Sequence, residues 1–92
     1  MSQETVKTRQ VKVLYFASIR EAFGTGAEHV ETSAVTVGEL RDELIRARGE
    51  AAASALAPNK AVRMALNQLM CKADAAINDG DEVAFFPPVT GG

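Results

Sequence analysis

Apolar residues recur at helical period along only one long stretch of this chain. Between Thr36 and Gly49, the residues Val37, Leu40, Leu44 and Ile45 share one face, while Arg41, Asp42, Glu43, Arg46 and Arg48 fill the other. Thr36-Val37-Gly38-Glu39 sets the start. A threonine followed three residues later by glutamate is a capping box, which satisfies two N–H groups that the first turn leaves without partners. Gly49 stands where such a helix would stop. The spacing predicts a main helix over residues 37–48. One helix of this length covers one face of a small sheet and leaves the other face open.

The remaining segments are short. Val11 to Ala17 (VKVLYFA) is β-branched and aromatic and reads as a strand. Ser18-Ile19-Arg20-Glu21 has the spacing of a second capping box, and Gly24 follows Phe23 as a stop, which predicts a short helix over residues 18–24. Ala27 to Val35 alternates loosely, with the polar content of an edge strand. Glu50 to Ala57 favours another short helix, stopped by Pro58. Val62 to Leu66 reads as a strand that turns at Asn67-Gln68 into Leu69 to Lys72. Asn78-Asp79-Gly80-Asp81 is a turn signal before a last strand, Glu82 to Phe86, closed by Pro87-Pro88. The order is β, short α, β, long α, short α, β, β, β. It predicts an α+β fold of β-grasp type: a mixed sheet of about five strands with one main helix on a single face. Residues 1–10 are polar and aperiodic and are expected to form a flexible tail. The β-grasp domain is expected over 11–86 and an extended tail over 87–92.

Composition narrows the function. Twelve acidic and ten basic residues give a net charge of −2, which lacks the basic footprint that nucleic acid requires. No apolar run approaches the roughly 20 residues that span a bilayer, and the N-terminus has no signal pattern, so no membrane role is expected. A single cysteine, Cys71, allows no internal disulfide and suits a reducing, cytoplasmic setting. One histidine and one cysteine do not make a metal cluster, so no metal site is expected.

Strand parity assigns the faces. In the first strand Val11, Val13 and Tyr15 point one way and Lys12, Leu14 and Phe16 the other. Lys12 belongs in water, so Leu14 and Phe16 should lie on the open side. In the last strand Glu82 marks the same outer side, and Phe86 shares its parity. Met70, just beyond the Asn67-Gln68 turn, is expected to join them. Exposed aromatics clustered beside a tail form a docking surface unless a loop or the N-terminal segment covers them.

The tail itself reads as a chemical group. Pro87-Pro88 ends the strand and launches the chain outward. Val89 and Thr90 favour extended backbone, and Gly91-Gly92 carry no Cβ, so the tip can thread a channel too narrow for other residues. The α-carboxylate of Gly92 becomes reactive once an oxygen is made a leaving group, as in an acyl-adenylate. The chain has no glycine-rich phosphate loop and no nucleophile–base pair, so ATP and the base are expected from a partner. The bland alternative is an inert tail on a plain interaction module.

The segments "VKVLYFASIRE", "TVGELRDEL", the turn at Asn67-Gln68 and above all "DGDEVAFFPPVTGG" from Asp79 to Gly92 resemble the small, sulfur-carrying subunits of molybdopterin synthase, a ubiquitin-like β-grasp family. The resemblance covers about residues 11–92. It implies that Gly92 is adenylated by an E1-like adenylating enzyme using ATP and then converted to a thiocarboxylate with sulfur from a donor protein. It also implies that the tail (Val89, Thr90, Gly91) inserts into the large catalytic subunit of a heterotetramer. There sulfur passes to cyclic pyranopterin monophosphate during molybdenum cofactor biosynthesis. The chain itself would bind no cofactor and would not be catalytic alone. The family's apolar interface residues fall at Phe16, Met70 and Phe86. Cys71 and His29 have no part in the family chemistry. A tail does not declare its acceptor, so a sulfur carrier for thiazole, cysteine or tRNA thiolation, or a ubiquitin-like protein modifier, stands as the alternative.

Overall fold

The computed structural model describes residues 8–57 and 61–88. In chain order the elements are β1 (Arg9–Tyr15), α1 (Ala17–Phe23), β2 (Ala27–Thr32), α2 (Val37–Arg48), α3 (Glu50–Leu56), β3 (Arg63–Leu66), β4 (Leu69–Cys71) and β5 (Glu82–Phe86). The strands form one mixed sheet in the order β2-β1-β5-β3-β4, which is the β-grasp topology. β1 runs parallel to β5, with Val13 opposite Val83 and Tyr15 opposite Phe85. The other pairs are antiparallel. Among the described residues no helix is long and apolar enough to cross a membrane.

Local rules set α2. The Thr36 hydroxyl accepts from the Glu39 N–H at 3.2 Å, as a capping threonine should. The Glu39 carboxylate reaches one residue further back than the box predicts and accepts from the Val35 N–H at 3.0 Å. Gly49 ends the helix at φ 87°, ψ −158°, a conformation open almost only to glycine, and starts α3 in the same step.

Tertiary pairing overrides local signals elsewhere. α1 begins at Ala17, not at Ser18, and no side chain caps it. The Phe16 carbonyl, at the end of β1, accepts from the N–H groups of Ile19 and Arg20 at 3.1 and 3.3 Å. The strand-to-helix junction is therefore tighter than a Ser18 cap allows, and Ala17 takes φ 53° to make it. β1 begins at Arg9, inside the stretch expected to be tail, because the ladder with β2 continues through Gln10–Glu31 and Arg9–Thr32. The Gln10 N–H also donates to Asp79 Oδ1 at 2.7 Å, and its carbonyl accepts from the Gly80 N–H at 2.8 Å. Residues 1–7 lie outside the described residues. β2 stops at Thr32, short of Val35, because the buried Thr32 hydroxyl donates to the Glu43 carboxylate and accepts from the Ala34 N–H at 3.0 Å, turning the chain toward α2.

The core lies on one face of the sheet. Val11, Val13, Val83 and Phe85 are fully buried there with Tyr15 at 1% exposure, against Ile19 of α1, Val37, Leu40 and Leu44 of α2 and Leu56 of α3. The two short helices thus share the cover with the main helix. The start of α2 is laced to the segment before β5, where the N–H groups of Val37 and Gly38 donate to the carbonyls of Ala75 and Ala73 at 3.0 and 2.8 Å. A Cβ on Gly38 would stand 2.9 Å from the Ala73 Cβ and 3.1 Å from its carbonyl oxygen. The Tyr15 ring stacks on Phe23 with centroids 4.1 Å apart, and its hydroxyl donates to Glu28 at 2.6 Å. Glu28 also pairs with Arg48, whose guanidinium lies 5.7 Å from the Phe23 ring centroid. Burial, then the hydrogen bond to Glu28 and its charge, push the Tyr15 phenol far above its ordinary value of 10.0.

Two predictions follow from this packing. Gly38→Ala should destabilise the fold: overpacking against Ala73 costs about 1–3 kcal/mol, which meets or exceeds the gain in helix propensity of about 1 kcal/mol. A denaturant unfolding curve decides, and a raised midpoint would contradict the close approach. Tyr15 is the sole tyrosine in a chain without tryptophan, so tyrosinate absorbance reports it alone. The native pKa is raised, so the stability Tyr15 contributes is complete below the unfolded value near 10 and is lost as pH rises above it. Tyrosinate absorbance should therefore stay absent from the folded protein through pH 10 and appear together with the loss of helical circular dichroism. Ionisation while the helices remain intact would show that the phenol is not held by the core.

Candidate docking face

Among the described residues no helix covers the opposite face of the sheet, and cross-strand register lines up its side chains. Leu14 of β1 stands beside Ala84 of β5, Ala84 beside Ala65 of β3, and Ala65 beside Met70 of β4. One step along, Phe16 and Phe86 stack with centroids 5.0 Å apart and planes 13° from parallel. The two alanines form a floor, buried because their neighbours are tall. Leu14, Phe16, Phe86 and Met70 are the walls, and Gln68 and Glu82 close one end. The result is an open, mostly apolar groove of about 340 Å³. Phe16 is 42% exposed and Met70 60% exposed, so neither loop nor tail covers them among the described residues.

Backbone geometry at both ends holds this groove. At the tail end the Phe16 N–H donates to the Phe85 carbonyl at 3.2 Å, fixing the end of β1 against the end of β5. At the other end Asn67 and Gln68 both take positive φ, 50° and 71°, as the two central residues of a tight hairpin turn must. Asn67 is tied to β5: its side-chain oxygen accepts from the Glu82 N–H at 2.9 Å and its amide donates to Asp81 at 3.0 Å. Asp81 also accepts from the Asn78 N–H at 2.7 Å. The acidic turn therefore does more than reverse the chain; Asp79 and Asp81 fasten β1, the hairpin and β5 together.

Phe16 and Phe86, expected on one surface from parity, and Met70, expected to join them from its place beyond the Asn67-Gln68 turn, are brought together. Ala65 and Gln68 join them without having been singled out. The signal for Ala65 was the two-residue turn, which sets Leu66 opposite Leu69 and so Ala65 opposite Met70. Pro87 is half-buried and Pro88 exposed, and among the described residues no strand follows Phe86. Val89, Thr90, Gly91 and Gly92, expected to thread and to carry the reactive carboxylate, lie outside the described residues. His29 is exposed on edge strand β2, opposite Lys12. Cys71 is half-buried against the core, and burial followed by the Asp74 charge pushes its thiol up, away from a reactive thiolate.

The sequence model of the ThiS family matches residues 13–92. The chain belongs to the ThiS family. Within it, the chain is 46% identical over 82 residues to the molybdopterin synthase sulfur carrier subunit of Escherichia coli, an alignment covering 89% of this chain and 99% of that protein. Among solved structures, the Haloferax volcanii HVO 2177 protein superimposes with a TM-score of 0.81 at 27% identity, covering 100% of this chain and 94% of that one. A chain from the complex of subunits 1 and 2 of the molybdopterin-converting factor of Helicobacter pylori superimposes with a TM-score of 0.60 at 28% identity, covering 90% and 99%. The fold expectation, a ubiquitin-like β-grasp, is met.

For this ThiS-family chain the division of faces has a direct test in two adjacent residues. Phe85 is 0% exposed, whereas Phe86 is half-exposed and stacks only on the outer side. Phe85→Ala should cost about 3–5 kcal/mol. Phe86→Ala should cost about 0.5–1.5 kcal/mol, the worth of an aromatic pair. Urea unfolding of both variants measures the contrast, and a larger loss for Phe86→Ala than for Phe85→Ala would mean that the parity assignment is off by one residue.

Proposed function

We propose that this chain is the sulfur carrier subunit of a molybdopterin synthase and that Gly92 carries the sulfur. The observation that supports it best is the open groove of Phe16, Met70 and Phe86, which ends where the chain leaves the sheet through Pro87-Pro88. A partner seated on the groove receives the tail at a fixed starting point. The 46% identity to a molybdopterin synthase sulfur carrier subunit gives the groove its meaning. The large catalytic subunit of a heterotetrameric synthase is the partner on which the tail delivers its cargo.

The chemistry follows from a carboxylate. In the active site of an E1-like adenylating enzyme, a Gly92 carboxylate oxygen attacks the α-phosphorus of ATP and pyrophosphate leaves. The acyl-adenylate has a carbonyl unshielded by any Cβ. The outer sulfur of a persulfide on a donor protein attacks that carbonyl and AMP departs with the oxygen; a thiol then cleaves the resulting acyl disulfide, leaving the thiocarboxylate and a disulfide on the donor side. Val89, Thr90 and Gly91 then thread into the large subunit, where the thiocarboxylate sulfur attacks a side-chain carbon of cyclic pyranopterin monophosphate and displaces an oxygen substituent from that carbon. Hydrolysis of the acyl–sulfur link leaves sulfur on the pterin precursor and returns the carboxylate. Binding energy comes from the groove and reactivity from the partners, so the body needs only to hold its shape. We place these steps in the cytoplasm.

Incubation of the full chain with its cognate adenylating enzyme, ATP and the sulfur donor should raise its intact mass by the replacement of one oxygen with sulfur. A chain lacking Gly92 should gain no sulfur and keep its circular dichroism spectrum. An unchanged mass for the full chain with an authenticated adenylating enzyme would count decisively against the carrier reading. Phe86→Ala should weaken binding to the large subunit by tenfold or more, as a central aromatic does in an interface, far beyond its effect on stability.

A further inference from the structure

The groove is flanked by charge asymmetrically. Arg63 of β3 is the register partner of Phe86, so its exposed side chain shares the outer face at the tail end of the groove. Lys72 follows directly beyond β4 and is exposed. The far end differs: Lys12 and Glu82 are register partners there, with Gln10 opposite Glu31 further out. The outer face thus runs from a mixed end carrying Lys12, Glu82 and Glu31 to a corner beside the aromatic pair that carries Arg63 and Lys72, with Asp74 two residues beyond Lys72, on a chain whose net charge is −2. The described residues contain two ion pairs, Arg41–Asp42 and Arg48–Glu28, and Arg63 and Lys72 belong to neither. Arg63 makes no side-chain hydrogen bond among them either, whereas Arg48 and Arg41 do.

We propose that Arg63, assisted by Lys72, orients the large synthase subunit on this face, and that the subunit presents carboxylates there beside an apolar ridge that fills the groove. The inference rests on the carrier reading and adds to it the chemistry of the partner. An apolar groove with an alanine floor is symmetric enough to accept a ridge in either direction. Unequal charge at the two ends breaks that symmetry, since the reversed partner would lose Arg63 and Lys72 and meet Glu82 and Glu31, offset only by Lys12. Rim charges of this kind act on the encounter, changing association rate and its salt dependence more than the dissociation rate. Only the matched orientation leads the tail into the large subunit.

The test uses the full chain and the large subunit of the same organism, with association followed by stopped-flow at low and high salt. Arg63→Glu should lower the association rate about tenfold at low salt, with most of the difference gone at high salt, and Lys72→Glu should deepen the loss. Arg63→Lys should keep the wild-type rate. Thermal melting of each variant accompanies the kinetics, and Arg63→Gln, expected to lose about half of the logarithmic effect, serves if the charge reversal melts early. Wild-type rates for Arg63→Glu and Arg63→Gln, or losses that salt does not diminish, would overturn the proposal while leaving the carrier reading intact. Failure of the wild-type chain to bind the large subunit at any salt would overturn the carrier reading and this orientation with it.

Discussion

The parallel pairing of β1 with β5 brings the first and last strands side by side at the centre of the sheet. Everything between them, three helices and three strands, is folded to one side or added at the edges. The pairing also divides the aromatics: Tyr15 and Phe85, register partners, face the core, and the next residues along, Phe16 and Phe86, face outward and stack. A slip of one residue in this register would send Phe16 and Phe86 under the helices and expose Tyr15 and Phe85. The Tyr15–Glu28–Arg48 network, which runs from the buried Tyr15 ring to the surface, guards against that slip, because the Tyr15 hydroxyl meets Glu28 only when Tyr15 points inward. Core and docking face are therefore two readings of one register.

The open face is costly to the free protein. Phe16 and Met70 stand in water, and covering them with a helix would have been favourable by the usual measure of buried apolar area. The alanines at 65 and 84 show how the face is kept both usable and tolerable. They hold the centre of the groove low, so the exposed apolar surface is concentrated in four side chains around a shallow floor. The neighbouring edge strand β4 is three residues long and β2 carries Glu28, His29 and Glu31, so neither edge offers a long apolar template for pairing with another chain.

Much of this was legible in the sequence where one local signal sufficed. The alternation of VKVLYF and EVAFF gave the faces, with Lys12 and Glu82 as markers, and Thr36 with Glu39 gave the start of α2. Where two elements compete for one residue, local reading failed. Ser18 and Glu21 have capping-box spacing, yet the Phe16 carbonyl at the end of β1 supplies the first turn of α1. Arg9 and Gln10 look like tail because their partners, Thr32 and Glu31, lie more than 20 residues away in sequence. The groove floor depended on register across four strands at once. Alanine at 65 and at 84 says nothing by itself; it becomes a floor only beside Leu14, Phe86 and Met70.

The proposed carrier role also explains why the groove is shallow rather than deep. On that proposal an adenylating enzyme and a large subunit would both use the tail, and the described chain leaves the sheet at one corner, where Pro87 follows the Phe16–Phe86 pair. Two partners that read the same corner exclude one another, so the loaded chain must quit the first before it reaches the second. A deep, enclosing pocket would slow that departure, since affinity differences between related complexes lie mainly in dissociation. An open groove of about 340 Å³ with a flat floor gives contact without enclosure. Charge at the rim then restores what shallowness gives up, because it speeds and orients each encounter without prolonging it. The body's one thiol, at Cys71, is half-buried, and burial followed by the Asp74 charge pushes it up, away from the thiolate that would be the nucleophile.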